Sequence, residues 1–205
     1  MLIPNNFLNG VGEFLKKWDA SIFSIITLLA VWSGEVTLFY ILYLFWFNEL
    51  IRIVVDRIFL NRNPNIKNKS EEPIHFLGSF FQMGIYFVFI VVFFGIIANW
   101  GNKDITFINV EVFLFQNWFF NANLLIVLFE RIYVHLIKQP VVISAGSFTP
   151  NMIVLHISII IGGILMFFLV KNYPETFAPD NLWGSVITIL PFILLKMAVE
   201  KLSKS

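Results

Sequence analysis

Six apolar runs follow one another along this chain with little between them, and that succession decides most of what the chain can become. A backbone can cross a bilayer only as a helix or as part of a closed barrel, and a helix needs about 20 mostly apolar residues to do so. The runs cover 18–33, 36–59, 74–99, 110–137, 151–171 and 182–199. They predict an all-α fold, an integral membrane bundle of six transmembrane helices forming one domain over 1–205. The first run is the shortest, because only SIFSIITLLAVW is uninterrupted, a length that also suits a re-entrant or interfacial segment. Ahead of it, Phe7, Val11, Phe14, Leu15 and Trp18 recur at helical spacing, so 5–18 is expected to lie on the membrane surface as a short amphipathic helix.

Composition narrows the function classes. The chain is 58% hydrophobic and only 13% charged, whereas soluble domains carry about 25% charged residues. Lacking cysteine, it has no disulfide, no thiolate metal site and no cysteine nucleophile. A net charge of +1 without a basic, aromatic-laced segment gives no reason to expect nucleic-acid binding. His75, His135 and His156 are the only histidines; none sits in H-E-x-x-H, and no serine sits in G-x-S-x-G. No metal, no cofactor and no catalytic residue are therefore assigned. Lys16 and Lys17 precede the first run, but that run leads through SGE into another apolar run and not into a cleavage site, so the N-terminus is expected to be retained.

The positive-inside rule sets the orientation. Of the 14 Lys and Arg residues, six crossings put all but Lys103 and Lys171 on one side. If the first run did not cross, Lys16 and Lys17 would change sides and weaken the bias. Both termini are accordingly expected in the cytoplasm, and the protein in the inner (plasma) membrane. Trp32, Trp100, Tyr173 and Trp183 then fall at the outer edges, as an aromatic belt would. Asn68-Lys69-Ser70 matches a glycosylation sequon but lies in the hydrophilic cytoplasmic stretch, so the match is taken as chance.

Polar residues inside the runs are the candidates for function, since each is costly there. Glu49, Arg52 and Asp56 in the second run follow at three- and four-residue steps, so they share a helical face and can pair along it. Glu130, Arg131 and His135 lie near the cytoplasmic border of the fourth, with Asn117 and Asn121 higher up. His156 lies early in the fifth, and Lys196 lies five residues after Pro191 in the sixth. Asn48, Glu49, Arg52, Arg131, His156 and Lys196 are predicted to meet in one polar layer, a ligand or ion chamber near the cytoplasmic face. A plainer reading stands beside it: Arg52, Arg131 and Lys196 can snorkel, and amides such as Asn48 can glue helices together. Gly162 and Gly163 are expected to let a neighbouring helix approach, and Pro191 to kink its helix or free a carbonyl.

MIVLHISIIIGGIL in the fifth run, ILLKMAVE in the sixth and FWFNELI in the second resemble a family of prokaryotic polytopic membrane proteins known only as a domain of unknown function. The resemblance implies the fold and a role for Asn48, Glu49, His156 and Lys196, but no activity. The third run departs from it, with Gln82 in FFQMGIYFVFIVVFF where that family tends to show histidines, which speaks against a metal or haem. The expected function is a transporter or channel for a small solute or ion. The alternative is a non-enzymatic anchor or sensor that holds a cytoplasmic partner through loop 61–73; a third reading is an intramembrane lipid-modifying enzyme. Expected partners are the lipid bilayer and a second copy of the chain.

Overall fold

The computed structural model describes residues 23–62, 72–136, 150–177 and 181–204. The surface helix expected over 5–18, most of loop 61–73 and the sequon lie outside them. The described residues are helical apart from their connections, with no strand among them. Helix α1 covers Phe23–Trp32. It is followed by α2 (Leu38–Arg62), α3 (Glu72–Phe89), α4 (Lys103–Phe113), α5 (Trp118–Leu136), α6 (Pro150–Leu165) and α7 (Leu182–Lys204). Wider turns extend α3 over Ile90–Ile96 and α6 over Met166–Val170, and a 3-10 turn (Ile97–Asn99) ends α3. Five helical stretches are long and apolar enough to cross a membrane. The chain is a multi-pass membrane protein.

The expected spans match α2, α3, α6 and α7 to within a few residues, but the fourth does not form one helix. The chain breaks at 114–117, between α4 and α5. The break is a reversed-turn cap: Gln116 N donates to Glu111 O at 2.8 Å and Phe115 N to Val112 O at 3.1 Å, which needs a left-handed residue at Phe115, with φ 58°. A phenylalanine in that conformation is strained where glycine would not be. Its ring is held against Phe47 at 5.3 Å and Phe120 at 6.0 Å, so aromatic packing offsets the backbone cost. Asn117 then caps α5 by accepting from Phe120 N at 2.8 Å. Thr37, Asn102 and Asn181 cap α2, α4 and α7 in the same way.

Helix α2 is the axis of the bundle. Every residue from Leu38 to Trp46 is buried, and α3, α4, α5, α6 and α7 all touch the helix. An apolar surface all round is what a helix enclosed by others requires. Tyr43 stacks on Phe39 at 5.0 Å and Phe120 at 5.5 Å, and Trp46 donates its indole N–H to Met83 O at 2.7 Å. Phe39 lies against Gly95 and Trp46 against Met83, so α3 runs antiparallel to α2. Tyr43 with Phe120 and Asp56 with Arg131 rise together, so α5 runs parallel to it.

The two ends of the bundle differ. Trp32, Trp100, Trp118 and Trp183 are 75% exposed or more, and each adjoins the end where α2 begins. We call this the tryptophan end. Trp118 joins the belt because the break places the start of α5 there. Here the wider turns and the 3-10 turn leave carbonyls of α3 without their usual helical donors. Asn99 donates to Phe94 O at 2.6 Å and Asn109 to Gly95 O at 3.1 Å, while Thr37 donates to Asn109 Oδ1 at 2.6 Å. Side-chain amides thus close the backbone of α3 against the start of α2.

The two glycines of α6 separate. A Cβ on Gly162 would meet Leu42 and Phe94 at 3.3 Å, whereas one on Gly163 would meet nothing within 4 Å. Close approach to α2 and α3 therefore rests on Gly162 alone. Pro191, expected to kink its helix, sits within α7 without ending it. Replacing Gly162 by Val is expected to lower unfolding stability by about 1–3 kcal/mol through overpacking. Gly163→Ala should leave it within roughly 0.5 kcal/mol. Thermal unfolding of both variants in detergent tests the assignment.

Candidate functional site

At the end opposite the tryptophans, α2 and α5 bring their charged side chains together. Glu49 is fully buried on α2. At 1.5 Å per residue it lies roughly 16 Å from Leu38, well inside the apolar thickness, while Asp56 lies about 27 Å from it near the far edge. The step from Glu49 to Arg52 puts both on one face, and the guanidinium grips the carboxylate with two bonds, Nε at 2.9 Å and Nη2 at 2.6 Å. Arg52 then reaches Asp56 at 3.5 Å, one helical turn further. These contacts are local to α2 and follow from helical spacing alone.

Asp56 carries the stripe across to α5. Arg131 donates to it through Nε and Nη2, both at 2.6 Å, and His135 Nε2 lies 2.8 Å from Oδ1. Arg131 and His135 are four residues apart, so one face of α5 delivers both. Phe59 stacks on the His135 ring at 4.6 Å and fixes its plane. The carboxylates are 0% and 9% exposed and the arginines 16% and 19%. Two carboxylates and two guanidiniums make a neutral set. Such a closed set is what allows charge to remain in a low-dielectric region, where breaking one partner costs far more than the intact pairs contribute.

The six residues expected to share a layer do not all meet. Glu49, Arg52 and Arg131 converge, joined through Asp56. Asn48 is half-buried and makes no hydrogen bond to a described residue. Lys196 is buried on α7, its Nζ 3.8 Å from the centre of the Phe23 ring on α1. His156 is exposed on α6, and its Nδ1 lies 2.9 Å from the hydroxyl of Tyr86 on α3. Asp56 and His135 belong to the convergent set. Their signal was the run of positions 49, 52 and 56 read together with 131 and 135. Among the described residues no group of three or more His, Asp and Glu side chains is placed to hold a metal ion.

A second polar feature lies at the tryptophan end. A recess of about 40 Å³ is lined by Thr37, Asn99, Ser185 and Thr188 among apolar side chains of α2, α4, α6 and α7. That is room for roughly two or three waters. No family model, curated protein or solved structure matches the chain. The resemblance to the family of unknown function thus stands on its motif residues alone.

Removing the hub tests the network. Asp56→Ala strands Arg131 and is expected to destabilise the protein by about 3–5 kcal/mol, whereas Asp56→Leu combined with Arg131→Met should recover most of that loss. Arg52 keeps Glu49 in both. Thermal unfolding in detergent reads the difference, and equal losses in the two variants would show that packing, not charge pairing, holds this end.

Proposed function

We propose that the protein is a multi-pass protein of the inner membrane that binds and passes a small solute or ion, with both termini in the cytoplasm and the α2–α5 charge network as its cytoplasmic gate. The observation that carries this reading is the network itself. A fully buried Glu49 is tied through Arg52 and Asp56 to Arg131 and His135 on a second helix. Charges held in a membrane interior commonly mark solute and ion pathways, and paired charges contributed by two helices can separate only when the helices do. At the other end, the recess beside Thr37 and Thr188 offers hydroxyls and an amide at a scale suited to water or a small ion. A closed charged end and a polar recess at the opposite end are the arrangement of a pathway gated on one side.

The orientation is supported by the charge bias. Arg52, Arg57, Arg131 and Lys196 lie toward the network end, while Lys103 and Lys171 lie near the tryptophan end. That is the distribution a cytoplasmic network end produces.

Proteoliposomes test the function. With wild-type protein, a pH-sensitive or potential-sensitive dye should report proton, sodium or potassium flux above empty vesicles. Glu49→Gln should change that flux by about tenfold or more, because Arg52 loses the nearer of its two carboxylates and the gate its balance. Flux that is absent for every ion tried, or unchanged in Glu49→Gln, would refute the gate and favour the anchor reading. That alternative makes the connection around Lys67 and Lys69 the functional surface, and substitutions there would then abolish function while Glu49→Gln stays silent.

A further inference from the structure

A second polar chain runs through the bundle, apart from the charge network. Gln82 Nε2 donates to the Tyr86 hydroxyl at 2.8 Å, and that hydroxyl lies 2.9 Å from His156 Nδ1. With the hydroxyl oxygen receiving a hydrogen from Gln82, its own hydrogen is free to go to Nδ1, an arrangement in which the ring hydrogen of a neutral His156 resides on Nε2. Nε2 of His156 and Oε1 of Gln82 have no hydrogen-bond partner among the described residues. His156 is exposed and Gln82 half-buried, on neighbouring helices that are buried over only a minor part of their length.

Depth makes this costly. Tyr86 lies about 20 Å along α3 from Asn99, and His156 about 21 Å along α6 from Val170. Both measures put the imidazole well below the tryptophan belt and roughly 10 Å from the other boundary of a 30 Å hydrocarbon layer. An imidazole is too short to reach head groups from there, and no lipid tail accepts its hydrogen. Something with an acceptor must stand opposite it.

We infer that this face is the interface between two copies of the chain, related by a two-fold axis, with His156 of each paired to Gln82 of the other. The occupant follows from self-complementarity, because an interface of that symmetry requires the same patch to present both halves of each contact. One donor, His156 Nε2–H, and one acceptor, Gln82 Oε1, are presented by adjacent helices on one face. Reversing all three hydrogen bonds swaps donor and acceptor and leaves the match intact. The surrounding surface suits a helix-on-helix contact. Ile153, Ile160 and Phe167 are exposed along the same stripe of α6 at helical spacing. Gly163, seven residues from His156, has open space where a Cβ would be, a notch for a facing helix.

The test is a dilution series of the full-length chain in vesicles of phosphatidylcholine and phosphatidylglycerol. Single cysteines at Lys103 carry donor and acceptor fluorophores, which the cysteine-free sequence permits. Energy transfer should follow a monomer–dimer equilibrium. His156→Leu and Gln82→Leu should each weaken it about 3- to 10-fold through the loss of two symmetric bonds. His156→Gln should hold it within roughly twofold by keeping a donor and an acceptor at that position. Leu125→Ala, on an exposed face of α5, should not change it. Gly163→Leu reads the same face without touching the polar chain, and should weaken the dimer as well. A chain monomeric at every dilution would overturn the inference, as would a dimer indifferent to His156→Leu, Gln82→Leu and Gly163→Leu.

Discussion

The pairing of Asp56 with Arg131 is the contact on which the charged half of the bundle depends. The ion pairs of Arg52 are local to α2, and His135 on α5 uses Asp56 as its acceptor. Without the Asp56–Arg131 pairing, the α2 members of the set, two carboxylates and one guanidinium, would carry a surplus of negative charge into an apolar region, and α5 would have a guanidinium and an imidazole lacking that carboxylate. Because the carboxylate accepts from three side chains on two helices, its position fixes the rotation of both. Aromatic packing then sets their distance, with Tyr43, Phe47 and Phe120 interleaved about three turns above.

The opposite half is held mainly by neutral groups, with one carboxylate, Glu35, accepting from Asn117 Nδ2 at 2.8 Å. Amides and a hydroxyl close the frayed backbone of α3 onto the start of α2, and Thr37 and three asparagines cap four helices at this end. Neutral hydrogen bonds suit a region next to water, since they cost little to expose and leave carbonyls satisfied when they form. One end of the molecule is thus locked by charge across two helices, the other by capping and amide contacts among several.

The helices themselves were legible in the sequence because apolar length is a property of composition, and composition does not depend on neighbours. The pairing of Glu49 with Arg52 was legible for a similar reason, as helical spacing alone brings them together. The break at 114–117 was not. Nothing marks Phe115 as left-handed; glycine or asparagine would have, and here the ring contacts that sustain the conformation come from α2 and α5. Convergence across helices was harder still. His156 and Arg131 look alike in sequence, each a polar group within an apolar run, yet helix rotation turns one toward Asp56 and the other outward beside Tyr86. Asn109 is buried and bonded to two other elements, although its run of sequence gives it no more prominence than Asn48, which bonds to neither. Rotation about the helix axis is decided by packing among all the helices at once, and a single run of residues carries little of it.

Burial of α2 on every side also bears on how the chain is assembled. The helix emerges early in synthesis, yet most of what encloses it belongs to α5, α6 and α7, synthesised a hundred or so residues later. In the interval its surface must be tolerable to lipid or to the insertion machinery. Its aromatic residues meet that condition, and so does the closed grip of Arg52 on Glu49, which neutralises the deepest charge from within the same helix. Asp56, whose main partner comes from α5, sits nearer the edge where water can wait with it. The order of charges along α2 is thus also an order in time: what is paired within the helix goes deep first, and what needs a later helix stays near the surface until that helix arrives.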